Sequence, residues 1–133
     1  MKVNLIVTQE QLKDGYENVP LNEEAINSIP DSACKELMID NVLEFIVLKN
    51  MTTILKKIRK GGVLEVRSPD AEEIFMQCSI GAIIFDDASS LLSGGRMRMS
   101  TLGQTRAFLE SSGLHVEFAG MNGAFYRITA KRP

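Results

Sequence analysis

Along the chain, short apolar runs alternate with amphipathic stretches, most clearly between Cys34 and Pro69. Leu37, Met38 and Ile39 form an apolar run that stops at Asp40-Asn41. Leu43, Val47, Met51, Ile54 and Ile58 then recur at spacings of three and four, which places them on one face of a helix. Asn41 with Glu44 three residues on has the form of a capping box, with Asp40 as an alternative cap. Lys56, Lys57, Arg59 and Lys60 suit the negative end of that helix, and Gly61 suits the left-handed position just past it. Val63 to Val66 is a second strand, closed by Ser68-Pro69. Strand, helix, strand predicts a parallel pair with a right-handed crossover, and therefore an α/β chain.

The flanks read in the same way. Lys2 to Val7 is a first strand, rich in aliphatic and β-branched residues. A turn is expected at Leu12–Gly15, then a short extended piece at Glu17–Leu21. Pro20 cannot donate to a ladder, so this piece belongs at a sheet edge. Residues 22–33 read as a polar connector with one helical turn. Ser68 can cap a helix with Pro69 at its first position, burying Ala71, Ile74, Phe75 and Cys78. Another helix is expected from Asp86 or Asp87, then a loop at Ser93-Gly94-Gly95, with Arg96–Met99 open. Thr101 and Gln104 form a capping box for a helix ending at Gly113. Leu114–Ala119 and Ala124–Ala130 alternate as two strands, joined through Gly120-Met121-Asn122-Gly123, an Asn-Gly hairpin signal.

Composition narrows the function. The 133 residues suffice for one domain, 1–133, with a core of its own. A net charge of −2 gives no general attraction to nucleic acid or to an anionic membrane. No apolar run approaches the roughly 18 residues of a membrane span. The opening residues do not resemble a secretory signal, so a cytoplasmic protein is expected. Cys34 and Cys78 read as buried free thiols, and no Cys/His spacing suggests a metal. His115, the single histidine, reads as an outward or packed strand residue. Asp86 and Asp87 beside Asp70, Glu72 and Glu73 are better explained as helix-start acids than as a cation site. The Lys56–Lys60 run reads as a solvated helix end, and Met97, Met99 and Met121 as gap-fillers or a soft apolar patch.

The order of these parts resembles the small class I S-adenosylmethionine-dependent methyltransferases related to methyltransferase type 11. Val3-Asn4-Leu5 with Leu12, Gly15-Tyr16 and Asn18-Val19 is similar to that family's first strand, cofactor loop and second strand. Ile29-Pro30-Asp31-Ser32 resembles the approach to its fourth strand, and Val42-Leu43-Glu44 its V-L-E-H helix start. Lys60-Gly61-Gly62-Val63-Leu64 with Ser68-Pro69-Asp70 resembles its K-P-G-G…P-D stretch around the fifth strand. Gly94-Gly95 and Thr101–Gly113 are similar to its last loop and helix. The resemblance implies a three-layer Rossmann-like fold, here truncated, with a mostly parallel sheet and a C-terminal antiparallel hairpin. It also implies S-adenosylmethionine contacts at Ile6, Thr8, Pro20, Asp40 and Asn41.

Those positions depart from the family's pattern. Its G-x-G loop lets backbone approach the cofactor, whereas Ile6 and Thr8 are β-branched. Left-handed dihedrals there would cost about 1–2 kcal/mol each. The acid that binds the ribose hydroxyls is replaced by Pro20, a loss of roughly 1.5–3 kcal/mol. Phe45 replaces the histidine of V-L-E-H. Pro20 and Pro30 are too close for the family's helix and third strand. Glu10, Asp14 and Glu17 read as a solvated loop rather than as substitutes for the missing acid. The expectation is a degenerate methyltransferase fold without cofactor, a pseudoenzyme acting as a binding or structural subunit with a protein partner or a second copy. The alternatives are an active small methyltransferase on an unknown acceptor and an accessory subunit that activates a true methyltransferase.

Overall fold

A computed structural model describes residues 1–46, 48–96 and 98–133. Six strands, β1 (Lys2–Ile6), β2 (Glu17–Pro20), β3 (Cys34–Asp40), β4 (Ile58–Pro69), β5 (His115–Asn122) and β6 (Phe125–Lys131), form one sheet in the order β2-β1-β3-β4-β6-β5. The first four are parallel, and β6 and β5 add as an antiparallel hairpin on β4. Five helices accompany them among the described residues: α1 (Glu23–Asn27), α2 (Leu48–Leu55), α3 (Ala71–Ser79), α4 (Phe85–Leu92) and α5 (Leu102–Ser111). This is the truncated Rossmann-like sheet with a C-terminal hairpin that the resemblance implies.

Strand alternation decides how the sheet is covered. Leu5, Ile39, Val66 and Ile128 share a core with Ile26 of α1, Met51 and Ile54 of α2, and Leu109 of α5. Intervening positions of the same strands carry ion pairs instead. Lys2 meets Glu36 at 3.5 Å, Arg67 meets Asp40 at 3.1 Å and Arg127 meets Glu65 at 2.8 Å. Such exposed pairs are worth at most about 1 kcal/mol. Their effect is to make a sheet face that water can cover, as in sheets packed on one side only. Truncation shows at the edge too. Only α1 stands between Pro20 and Pro30, so β2 borders the sheet. With four residues and a terminal proline, that edge is blunt.

The central helix is shorter than its apolar spacing predicts. A 3-10 turn at Leu43–Phe45 precedes α2, and Ile58 already belongs to β4. Asn41 does not cap; its φ is +59°. Val47 lies outside the described residues. β4 starts early because it bulges: Ile58 to Val63 lies against only Cys34 to Glu36 of β3. Gly61 takes a φ of +77°, and Gly62 has the Cys34 carbonyl oxygen 2.7 Å from where a Cβ would stand. Arg132 clasps the bulge by donating to the Ile58 carbonyl at 2.6 Å. Lys57, expected in solvent, is buried and donates to Asp31 at 2.9 Å.

Further along, Asp70 rather than Ser68 caps α3, accepting from the Glu73 N–H at 2.9 Å, and Pro69 remains in β4. Its other oxygen accepts from Leu102 N–H at 2.8 Å, so one carboxylate anchors the starts of both α3 and α5. Thr101 caps α5 as its sequence predicts, accepting from Gln104 N–H. Ala71 and Ile74 are buried, but Phe75 is 55% exposed and Cys78 only half-buried. Gly120–Asn122, expected as a loop, continues β5. The hairpin turns at Gly123-Ala124, with Gly123 at φ +64°. Glycine at the first loop position suits a two-residue hairpin.

Candidate functional site

In parallel sheets ligands gather beyond the C-terminal strand ends, and all five cofactor positions implied by the resemblance lie there. Ile6 closes β1 with 6% exposure. Thr8 is extended (φ −129°, ψ 160°) and exposed, so neither β-branched residue bears left-handed strain. The chain has taken a different path rather than a strained version of the glycine loop. Its path is held from within. The side-chain oxygen of Gln11 accepts from the Val7 N–H at 2.7 Å and the Thr8 N–H at 3.1 Å. Buried Asn4 donates to the Gln11 carbonyl at 2.8 Å and to the Asn18 side-chain oxygen at 2.9 Å. That Asn18 oxygen also accepts from the Lys13 N–H at 2.9 Å. The donors at the end of β1 are therefore satisfied by the protein itself.

The other positions offer little more. Pro20 is exposed and presents no acceptor side chain. Asp40 is paired with Arg67, and the Asn41 side-chain oxygen accepts from Arg96 at 2.9 Å. Phe45 stacks beneath the Arg96 guanidinium, 5.0 Å from the ring centre. A pocket of about 160 Å³ opens between α1 and α2, lined by Leu21, Ile26, Phe45 and Asn50. Small-molecule sites usually span about 300–1,000 Å³. These positions therefore lack the glycines and the ribose acceptor of the family's cofactor pattern.

A polar network that local sequence reasoning missed lies in the core nearby. Glu44 is 2% exposed and accepts from Ser100 at 2.6 Å and from Ser68 at 3.1 Å, with Arg96 at 3.8 Å. Ser100 has one hydroxyl proton, and Glu44 takes it, so the Tyr126 hydroxyl donates to Ser100 at 2.8 Å. Thr105 then donates to Tyr126 at 2.9 Å. This chain ties the loop after α4 to β4, α5 and β6. Glu44 is sealed from solvent, while Ser100 and Thr105 border a pocket of about 210 Å³ that Leu43, Met51 and Met99 also line. The only sequence signal was Glu44 itself, an acid inside an otherwise apolar face.

The remaining candidates disperse. Among the described residues, no group of three or more His, Cys, Asp or Glu side chains is placed to hold a metal ion. Cys34 is buried, which pushes its thiol up, and His115 is exposed on β5. Met99 and Met121 line different pockets, and Met97 lies outside the described residues. No described helix is long and apolar enough to cross a membrane.

Both tyrosines of the chain are held neutral. Tyr16 donates to Glu36 at 2.7 Å, and that bond, followed by desolvation, pushes its hydroxyl up to about 12. Burial raises Tyr126. A raised value stabilises the fold below the unfolded midpoint near 10, and that contribution is lost as pH climbs toward the folded value. Absorbance titration of the native protein should show no tyrosinate step near pH 10, whereas both should ionise there in urea. A full step at 10 in folded protein would contradict these contacts.

No family model matches the chain, and no curated protein matches it in sequence. Solved structures do. A methyltransferase from Thermotoga maritima, described as a possible histamine N-methyltransferase, superposes with a TM-score of 0.68 at 14% identity, over 99% of this chain and 82% of that one. An S-adenosylmethionine-dependent methyltransferase from Mesorhizobium loti gives 0.64 at 14% identity, covering 98% and 79%. A chain from the complex of the Haloferax volcanii Trm112 methyltransferase activator with a putative methyltransferase gives 0.62 at 10% identity, covering 98% and 71%. With the strand order and the antiparallel closing hairpin, these likenesses show that the chain has the class I methyltransferase-like fold in shortened form.

Proposed function

We propose that this chain is a non-catalytic version of the methyltransferase fold, a pseudoenzyme that works as a binding or structural subunit without S-adenosylmethionine. The observation that carries the reading is the Gln11 side-chain oxygen on the Val7 and Thr8 N–H groups. Backbone donors at the end of the first strand are the natural receptors for a ligand's anionic group, and here the chain occupies them. Pro20, which removes an acceptor, and the small pocket beside Phe45 point the same way.

The rival reading, an active small methyltransferase on an unknown acceptor, draws its support from the fold alone. Calorimetry with S-adenosylmethionine separates the two. No saturable heat is expected, and Gln11→Ala alone should not restore binding, because Pro20 still supplies no acceptor. Micromolar affinity, about −8 kcal/mol, would reject the proposal. A protein partner is supported by the Haloferax volcanii neighbour, a methyltransferase fold solved together with an activator protein.

A further inference from the structure

The α3–α4 hairpin exposes much of its apolar surface, and its composition is one-sided. Phe75, Met76, Ile80, Ile84 and Phe85 are 55, 51, 74, 63 and 79% exposed. Adjoining large apolar side chains left in water mark an interaction surface rather than ordinary surface scatter. Between Asp70 and Leu92 the charged residues are Asp70, Glu72, Glu73, Asp86 and Asp87, with no Lys, Arg or His. Asp70 is occupied as a double cap, while Glu72, Asp86 and Asp87 are exposed. The hairpin is thus an apolar tip on an acidic base. An anionic membrane would repel it, and so would a second hairpin meeting it face to face.

A complementary surface lies at the opposite end of the strands. A groove of about 510 Å³ runs between the end of α2 and the start of β5, with Leu55 and Leu114 along it. Lys56 and Arg132 flank these apolar residues, and Arg59 and Lys60 are exposed on the neighbouring bulge of β4. α3 leaves the C-terminal end of β4, whereas the groove gathers at its N-terminal end, so one molecule cannot bring the two together.

We infer that copies of this chain associate head to tail, the α3–α4 hairpin of one molecule seating in the Leu55–Leu114 groove of the next. Apolar residues meet apolar residues, and Asp86 and Asp87 meet Lys56 and Arg132. Because the two surfaces differ, the contact is heterologous and builds rings or open chains rather than a closed pair. The inference deepens the non-catalytic reading above, since it names the surface through which such a subunit acts.

Sedimentation velocity across a wide range of concentration tests it with two variants. I80E/F85E alters only the hairpin, and T52E/K56E puts acids along the groove; all four residues are exposed, so the fold should survive. The unaltered protein should form species larger than dimers as concentration rises, more weakly in 1 M salt, where charges are screened beyond about 3 Å. Each variant alone should associate at least about tenfold more weakly. Mixed, they should recover a one-to-one dimer that cannot grow, because one supplies the groove and the other the hairpin. Should I80E/F85E fail to fold, I84S makes the same test. A monomeric parent at every concentration, self-association of either variant at the parent's strength, or a mixture that stays monomeric would overturn the inference. Calorimetry with S-adenosylmethionine on the same samples tells the two failures apart. A monomer that is silent toward it loses only the self-association, and a monomer that binds it loses the non-catalytic reading as well.

Discussion

Replacing Glu44 with alanine should destabilise the protein by about 3–5 kcal/mol, as expected when one partner of a buried charge pair is removed. Domains of this kind have roughly 5–15 kcal/mol in all, so the variant should stand near its folding limit. The loss has three parts. Ser100 and Ser68 lose their acceptor inside the core. Arg96, whose side chain is 9% exposed, keeps its charge without the carboxylate at 3.8 Å, and one of its terminal nitrogens already lacks a hydrogen-bond partner. Ser100, freed to rotate, also loosens the Tyr126 hydroxyl that it receives. Urea unfolding measures the change. Glu44→Gln keeps the shape and one acceptor oxygen, and should cost less than the alanine. Equal losses for both variants, or a loss under about 1 kcal/mol for alanine, would mean that the network contributes no more than ordinary hydrogen bonds.

Gly62→Ala should cost about 1–3 kcal/mol or more, the scale of overpacking a filled site. The added Cβ would stand 2.7 Å from the Cys34 carbonyl oxygen, 2.9 Å from the Arg59 carbonyl oxygen and 2.9 Å from a methyl of Ile58. Two of these neighbours are backbone, so β3 and β4 must part or the bulge must flatten. Flattening would displace Arg132 from the Ile58 carbonyl and disturb the Gly61 N–H bond to the Arg132 carbonyl, now 2.7 Å. Thermal unfolding of Gly62→Ala checks this, with Gly103→Ala as control, since a Cβ there meets open space. Equal melting temperatures for the two variants would show that the bulge is not built on the bare glycine.

What could be read from the chain depended on how far its causes reach. The cap at Thr101 and the edge position of Pro20 are local, and each is found where its chemistry predicts; the Asn-Gly signal marks the hairpin, but the turn itself falls one residue later, at Gly123-Ala124. The boundary between α2 and β4 was not legible. Ile58 continues the helical spacing and is equally apolar as a strand residue, so periodicity cannot choose between the two. Arg132 chooses, from 74 positions away. Glu44 reads locally as a capping-box member, yet its partners Ser68 and Ser100 are 24 and 56 positions distant. Phe75 follows the spacing of a buried helix face, but no strand lies opposite it. At the cofactor edge the missing glycines were visible in the sequence. The contact of the Gln11 side chain with the Val7 and Thr8 N–H groups was not, since it needs the 3-10 turn at Gln9–Gln11 to bring that side chain back.

The charged side of the sheet leaves this domain unusually free to change. Lys2 and Glu36 touch Tyr16, Arg67 touches Phe125 and Arg127 touches Phe118 on their own face. These residues and Glu65 stand outside the main core, so exchanging their side chains leaves the packing beneath α1, α2 and α5 undisturbed. New recognition chemistry can therefore accumulate on that face by single substitutions, each testable by selection without first repairing a core.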